Sequence, residues 1–150
     1  MKTLVVFYSR DGHTKKVAED IAKILNADID EIIDAKSRKG VIGWIIAGKD
    51  AMRKKPTEIG FKKSPSEYDL VLIGTPVWAF TMTPAVRTYL SLNKFRKAAF
   101  FCTYGGGESK TFNEMEKSSI APVAVFGYKD KDIGNEEYTK KLEEFCSKLR

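Results

Sequence analysis

Five apolar runs, separated by segments with helical periodicity, constrain the fold of this chain more than any other feature of its sequence. The runs cover residues 4–8, 27–34, 68–73, 98–102 and 122–126. Four of them are nearly continuous rather than alternating, as expected of strands that are covered on both faces. The second run contains more polar residues, which suits an edge strand. Strands that alternate with helices predict an α/β fold with a doubly wound parallel sheet of five strands.

The segments between the runs carry the signals of amphipathic helices. One apolar stripe comprises Val17, Ile21, Ile24 and Leu25, and a last one comprises Tyr138, Leu142, Phe145 and Leu149. Thr83 followed by Pro84 predicts an N-cap with proline at the first helical position. No internal repeat, linker or low-complexity tract interrupts the pattern, so the sequence predicts one domain over residues 1–150.

The composition is that of a globular protein, with 43% of the 150 residues hydrophobic and 31% charged. No apolar run approaches the roughly 20 residues that a membrane span needs, so we expect a cytoplasmic protein. The two cysteines, Cys102 and Cys146, form no C-x-x-C pair, and we expect both to be buried thiols. The sequence indicates no metal site.

The formal net charge of the chain is +6 and its pI is about 9.2. This balance favours anionic partners such as a phosphorylated cofactor, an acidic protein or an acidic lipid surface, although scattered lysines would also serve solubility. Nucleic acid is disfavoured because no recognition motif accompanies the charge. Within residues 36–60, an apolar stripe over 41–52 lies beside basic residues. It is interpreted either as the second crossover helix or as a basic amphipathic element that contacts a partner or a membrane surface.

A strand–turn–helix junction near the N-terminus has the chemistry of a phosphate site. The turn consists of Ser9, Arg10, Asp11, Gly12, His13 and Thr14. Backbone N–H groups at the helix start and the positive end of the helix dipole favour an anion there. The two hydroxyls add donors, the arginine adds charge, and the glycine lets the backbone approach closely. His13, the only histidine, is interpreted as a backbone donor rather than a general acid or base.

Two further strands lead into loops that suit a flat aromatic ligand. The third run continues into Thr75, Pro76, Val77, Trp78 and Ala79, and the fourth into Thr103, Tyr104, Gly105 and Gly106. The first of these is expected to be a rigid turn, with the ring of Trp78 just past the sheet edge. Ligands of doubly wound sheets bind beyond the carboxyl ends of the strands, so the three junctions are expected to meet. Together they predict flavin mononucleotide (FMN) as the cofactor, with core packing of Trp78 and capping of the sheet edge by Tyr104 as the alternatives.

These three junctions resemble the flavodoxin family. The phosphate-loop pattern of that family, hydroxyl-x-Thr-Gly-x-Thr, is matched by residues 9–14 except that Asp11 stands where threonine is usual. The resemblance covers the whole chain and implies the strand order 2-1-3-4-5, non-covalent FMN, and Trp78 or Tyr104 against the isoalloxazine ring. Electron carriers of this family are typically acidic, whereas this chain is basic.

The resemblance implies an electron-transfer flavoprotein in which the flavin carries the redox chemistry and no side chain is catalytic. Its partner would be a redox protein, acidic given the charge of the chain, or a small quinone-like acceptor. The alternative is an FMN-dependent reductase or oxidase that acts on a quinone-like or porphyrin substrate. A phosphorelay receiver shares the strand order, but it is disfavoured because Ile73, Gly74 and Thr75 end the third strand without a carboxylate.

Overall fold

A parallel sheet forms the centre of the computed structural model, which describes residues 1–34 and 58–150. Its strands are β1 (Thr3–Phe7), β2 (Asp28–Glu31), β5 (Leu70–Trp78), β7 (Ala98–Tyr104) and β8 (Val125–Lys129). They lie side by side in the order β2-β1-β5-β7-β8, which is 2-1-3-4-5 when the parallel strands alone are numbered. Within the described residues, the predicted five-stranded parallel sheet and its strand order are confirmed.

Short strands and four helices complete the described part of the chain. Strands β3 (Ile33–Asp34) and β4 (Ile59–Gly60) form a separate antiparallel pair, and β6 (Thr81–Met82) pairs antiparallel with the end of β5. The helices are α1 (His13–Leu25), α2 (Pro84–Leu92), α3 (Thr111–Lys117) and α4 (Glu136–Ser147), with 3-10 turns at Pro65–Glu67 and Asp130–Asp132. None of these helices is long and apolar enough to cross a bilayer. The predicted element over 41–52 lies outside the described residues, so both of its interpretations stay predictions.

Side chains cap the N-termini of two helices. Thr83 Oγ1 accepts a hydrogen bond from the Val86 N–H at 3.4 Å, at the start of α2. Asn135 Oδ1 accepts one from the Tyr138 N–H at 2.7 Å, at the start of α4. Each bond satisfies one N–H group that has no acceptor within its own helix. The predicted cap at Thr83, followed by Pro84, is confirmed.

The sheet is covered on both faces, and its strands divide their side chains between two cores. Along β1, Val5 and Phe7 pack in the core that contains the apolar face of α1 and α4, whereas Leu4 and Val6 pack in the core that contains α2. Every residue of β1 is therefore buried. This explains why the first run is apolar throughout rather than alternating.

Both thiols are buried in the structure. Cys102 in β7 and Cys146 in α4 are each 0% exposed, and neither forms a disulfide. Burial raises the pKa of Cys146 to about 11 and also raises the pKa of Cys102. The prediction that both cysteines are buried thiols is confirmed.

Strand β5 runs further than the sequence indicated. Residues 75–78 were expected to form a turn, but they belong to the strand, and only residues 79–80 connect it to β6. The Tyr8 N–H donates a hydrogen bond to the Gly74 carbonyl, so the backbone N–H and C=O groups of Gly74 point toward β1. The backbone groups of Pro76, two residues later in the same strand, point to the same side. Because β1 pairs no further than Gly74, no ladder bond needs the missing N–H of the proline.

The last strand begins later than the sequence indicated. The run 122–126 shares only its final two residues with β8. Phe126 and Tyr128 are buried, whereas Val125 is 45% exposed, so β8 alternates. The expectation that this run is covered on both faces is wrong. Strand β8 lies at the edge of the sheet, where part of one face meets solvent.

The polar run 27–34 becomes two short strands rather than one. Strand β2 lies at the edge of the sheet beside β1, as predicted. After the buried Ile32, the chain leaves this sheet to pair with β4. Asp30 is buried in β2, where its Oδ2 accepts hydrogen bonds from the Lys62 and Lys63 N–H groups at 2.9 and 2.7 Å. One of the polar residues in this run therefore holds a neighbouring segment in place.

Candidate functional site

Two hydrogen bonds, one to the Ser9 side chain and one to the Gly12 backbone carbonyl, hold the loop between β1 and α1 together. Gly12, the N-cap of α1, has a φ of 95°, in the left-handed region that favours glycine. Its N–H donates to Ser9 Oγ at 3.1 Å, and its carbonyl accepts from the Lys16 N–H at 3.0 Å. Because the Ser9 oxygen is an acceptor here, its hydroxyl proton can be donated to a bound anion. The positive dipole end of α1 adds to the attraction for an anion.

A pair of buried threonines joins this loop to strand β7. The Oγ1 atoms of Thr14 and Thr103 lie 2.8 Å apart, and both residues are 1% exposed. The two hydroxyls carry two protons, of which their mutual hydrogen bond uses one. The second proton can be donated to a ligand. The pair therefore ties the first helix to the centre of the sheet and still offers one donor.

A cavity of about 150 Å³ lies at the carboxyl ends of the parallel strands. It is lined by Ser9, Arg10, Asp11, His13, Thr14, Pro76, Val77, Trp78, Thr103, Tyr104 and Asp130. The structure therefore brings the three predicted junctions together around one space, as expected for a doubly wound sheet. All of the lining residues except Asp130 were predicted from the sequence.

Five predicted residues lie outside this lining: Gly12, Thr75, Ala79, Gly105 and Gly106. Gly12 acts on the loop backbone, as described above. Thr75 is 0% exposed, and its hydroxyl donates to the Pro76 carbonyl at 2.8 Å and accepts from the Thr83 N–H at 3.1 Å. Ala79, Gly105 and Gly106 are exposed. Contact between these residues and a cofactor stays a prediction.

Asp130 is the one lining residue that was not predicted from the sequence. It follows β8 directly, in the 3-10 turn Asp130–Asp132. The fifth strand was predicted to end at Phe126 instead of Lys129, so its carboxyl end was placed too early along the chain. The available signal was the polar segment that follows Tyr128, because the carboxyl ends of parallel strands all lie at the same edge of the sheet.

Trp78 and Tyr104 are half-buried at the ends of their strands. The Trp78 ring packs against the core and also lines the cavity. The Tyr8 ring lies edge-on to it, with the centroids 5.7 Å apart, and the Arg10 guanidinium lies 5.3 Å from the centroid. Burial raises the pKa of Tyr104, and the nearby Glu108 carboxylate raises it further. The phenol is therefore neutral at physiological pH and able to donate a hydrogen bond.

Charged side chains of both signs line the cavity. Arg10 and His13 are the cationic or titratable members, and Asp11 and Asp130 are the acidic ones. Arg10 and Asp11 are both exposed, so water screens much of their charge. The features that favour an anion here are therefore the hydroxyls and the start of α1 rather than an excess of cationic side chains.

The turn beside Trp78 has an unusual backbone. Trp78 and Thr81 pair across the hairpin, so the turn consists of Ala79 and Phe80 alone. Their φ values are 50° and 74°, which place both residues in the left-handed region that glycine favours. The Phe80 carbonyl accepts a hydrogen bond from the Lys110 N–H at 3.0 Å. The Phe80 residue as a whole is 72% exposed. The turn thus holds a large apolar side chain in solvent, two residues along the chain from the lining residue Trp78.

A doubly wound sheet with an anion loop and aromatic rings at the same edge is the architecture of nucleotide-binding α/β proteins. The sequence model of the family described as flavodoxin matches residues 2–148. The chain belongs to the flavodoxin family. No curated protein matches its sequence significantly.

Solved structures share this fold. A flavoprotein from Lactobacillus acidophilus NCFM in complex with FMN is 24% identical, with a TM-score of 0.63, over 96% of this chain and 97% of its own. Oxidised flavodoxin 1 from Bacillus cereus is 17% identical, with a TM-score of 0.62, over 99% and 97% of the two chains. A flavodoxin, WrbA-like protein from Agrobacterium tumefaciens is 15% identical, with a TM-score of 0.57, over 97% and 95%. At these identities the likeness shows the fold alone.

Proposed function

We propose that this protein binds FMN non-covalently at the carboxyl ends of its parallel strands and carries electrons in redox reactions. The observation that carries the proposal is the cavity that joins the loop between β1 and α1 to Trp78 and Tyr104. An anion-binding loop beside two aromatic rings suits a cofactor with a phosphate at one end and a flat ring system at the other. The relative from Lactobacillus acidophilus that was crystallised with FMN supports this choice of cofactor.

The residues around the loop fit the phosphate end of FMN. The Ser9 oxygen already accepts the Gly12 N–H, which leaves its proton for the phosphate. The Thr14–Thr103 pair has one proton to donate, from a buried position. Hydrogen bonds from such fixed donors to a charged phosphate are stronger than those between neutral groups. Arg10 adds positive charge at the rim.

The residues at the other end of the cavity fit a flat ring. Trp78 and Tyr104 are only half-buried, so each has ring surface to offer. The cavity of about 150 Å³ is smaller than the ~300–1,000 Å³ of pockets that enclose a ligand. We therefore expect the ring of the cofactor to keep an edge at the surface, within reach of a redox partner. When bound, FMN supplies the redox chemistry, while the chain binds it, orients it and sets the electrostatic field around it.

Comparison of FMN with riboflavin tests this proposal. Riboflavin lacks the phosphate and loses several charge-assisted hydrogen bonds, each worth about 1.5–3 kcal/mol, so each lost bond weakens binding about tenfold or more. Ser9→Ala should lower the affinity for FMN and leave that for riboflavin unchanged. The matched control is Ser147→Ala, which removes a hydroxyl that hydrogen-bonds to Glu144 on α4. Equal affinities of the native chain for FMN and riboflavin would contradict the proposed site.

We propose an acidic redox protein as the partner of the FMN-loaded chain. The net charge of the chain, +6, attracts negative charge. Such attraction accelerates association at low salt and is screened as salt rises. Electron exchange with an acidic redox protein should therefore slow as ionic strength increases, whereas exchange with a basic protein of similar potential should not. Rates with the acidic protein that are indifferent to salt would contradict this choice of partner.

One observation favours a second function, the reduction of a quinone-like acceptor or the oxidation of a porphyrin. Phe80 is 72% exposed and lies two residues along the chain from Trp78, which lines the cavity. An exposed aromatic ring offers a contact for a flat apolar substrate. Steady-state turnover of a quinone with reduced nicotinamide cofactor, lowered by Phe80→Ala, would support this enzyme. Absence of turnover would leave the electron carrier as the function.

A further inference from the structure

We infer that Glu114 is a positioning residue for the cofactor site and acts through the β5–β6 hairpin. The inference rests on the proposed function, because the site in question is the one at which FMN is proposed to bind. Glu114 lies in α3 and does not line the cavity. Its connection to the cavity runs through Thr81, which pairs across the hairpin with the lining residue Trp78.

One carboxylate oxygen of Glu114 holds two other elements together. Its Oε1 accepts a hydrogen bond from Thr81 Oγ1 at 2.6 Å and another from Arg87 Nη2 at 3.0 Å. Thr81 belongs to β6 and Arg87 to α2, so this oxygen joins the hairpin, α2 and α3. The hydrogen bonds from Thr81 and Arg87 hold the pKa of Glu114 below its usual range. The group is thus charged at neutral pH, and both bonds are charge-assisted.

The hairpin depends on such support because its turn is strained. Ala79 and Phe80 both have positive φ, which costs energy in residues other than glycine. Conformations of this kind persist where surrounding contacts hold them. The start of α3 supplies a second contact, from the Lys110 N–H to the Phe80 carbonyl. Helix α3 and its N-cap therefore contact the turn at two points. The Lys110 N–H bonds to the backbone carbonyl of Phe80, and Glu114 bonds to Thr81, the first residue after the turn.

The effect of Glu114 on the position of Trp78 can be separated from its effect on the stability of the fold. The side chains of Glu114 and Arg87 are 33% and 36% exposed. Ion pairs with this exposure contribute little to global stability, so their loss leaves the fold intact. Arg96 provides a matched control, since its exposed guanidinium pairs with Asp69, just before β5, at the opposite end of the sheet.

Trp78 itself serves as the reporter in the experiment. The chain has two tryptophans, so a Trp44→Phe background leaves Trp78 as the only indole. Fluorescence emission and acrylamide quenching are recorded for the flavin-free chain, and FMN is then titrated. In Glu114→Ala we expect red-shifted emission, stronger quenching and FMN affinity lower by about fivefold, as for residues that act on a site without touching the ligand. Its melting temperature should match that of Arg96→Ala.

Glu114→Gln keeps an oxygen that accepts from Thr81 and should restore the emission of the native chain. Unchanged emission in Glu114→Ala, or the same shift in Arg96→Ala, would overturn the inference. So would altered emission with unchanged FMN affinity. If Glu114→Ala does not fold, Thr81→Val replaces it, with the same shift expected and its absence decisive against the inference. If the parent chain binds no FMN, the proposed function fails, and the emission of the flavin-free variants alone decides the role of Glu114.

Discussion

Gly74 in β5 occupies a position where the backbone passes close to an aromatic ring. A Cβ atom at this position would overlap the ring of Phe101, which lies in the neighbouring strand β7. Phe101 is 0% exposed and belongs to the core that contains α1 and α4. Because protein cores are packed as densely as organic crystals, the ring has no free space to move into. This contact explains why a glycine follows the apolar run of β5.

Gly74→Ala should therefore destabilise the protein by about 1–3 kcal/mol, the usual cost of overpacking a core. The measurement is urea unfolding at equilibrium. Gly105→Ala is the matched control, because no atom lies within 4 Å of the Cβ it would add, and we expect a change within about 0.5 kcal/mol. Equal unfolding midpoints for the two variants would contradict the packing explanation.

Two threonines show what the sequence could and could not reveal about single residues of the site. Thr103 was placed at the cavity by the rule that ligands bind at the carboxyl ends of strands, and the structure places it in the lining. Its hydrogen bond to Thr14, 89 positions away, depends on how α1 packs against β7, which no local pattern encodes. Thr75 was predicted by the same rule, but it does not line the cavity, and its hydroxyl bonds to the Pro76 carbonyl and the Thr83 N–H. Neighbouring residues of a strand face opposite sides, so the rule locates the strand end but not each side chain.

At the scale of elements, the sequence located the parallel strands but misjudged where β5 ends and where β8 begins and ends. Side-chain patterns report burial, whereas a ladder is built by backbone groups. The apolar run of β5 stops at Ile73, but its ladder with β7 continues to the pair of Pro76 with Thr103. For β8, the apolar run 122–126 includes three residues that precede the strand. Buried and more exposed residues alternate along this edge strand, so apolar continuity did not indicate where it ends. The cap at Thr83 was predicted because a capping threonine followed by proline is a local signal.

The strained turn between β5 and β6 leads to a prediction about stability. Phe80→Gly and Phe80→Ala both remove an exposed ring, but only glycine adopts a φ of 74° without steric cost. We expect the glycine variant to be more stable than the alanine variant by about 1 kcal/mol. Thermal unfolding of the two flavin-free variants makes the comparison. If their stabilities are the same, the turn is not strained at this residue.

At the scale of the whole molecule, buried tyrosines make the folded state sensitive to alkali. Burial raises the pKa of Tyr68 to about 12, helped by its hydrogen bond to Asp28, and also raises the pKa values of Tyr89 and Tyr138. In the unfolded chain, tyrosines ionise near pH 10. Above that pH the unfolded state binds fewer protons than the folded state does, so the stability of the fold decreases as pH rises.

The melting temperature should therefore fall steeply between about pH 10 and 12, the interval between the pKa of Tyr68 in the unfolded and folded states. Tyr68→Phe should make this decline shallower, because one of the groups that ionises only in the unfolded state is removed. The variant also loses the bond to Asp28, but that loss lowers the melting temperature without steepening its decline with pH. A decline as steep as that of the native chain would argue against a role for Tyr68.

Because both cysteines are buried, the rate at which each thiol reacts reports how often its part of the fold opens. Thiol reagents and oxidants attack the exposed thiolate, so each cysteine reacts only while its surroundings are open. Cys102 lies in a strand between β5 and β8, whereas Cys146 lies near the end of the last helix. A helix packed on one face of a sheet opens at lower free energy than a strand that is hydrogen-bonded to a neighbour on each side. Labelling of Cys146 should therefore be the faster of the two and record the detachment of α4, while labelling of Cys102 records the separation of the sheet itself.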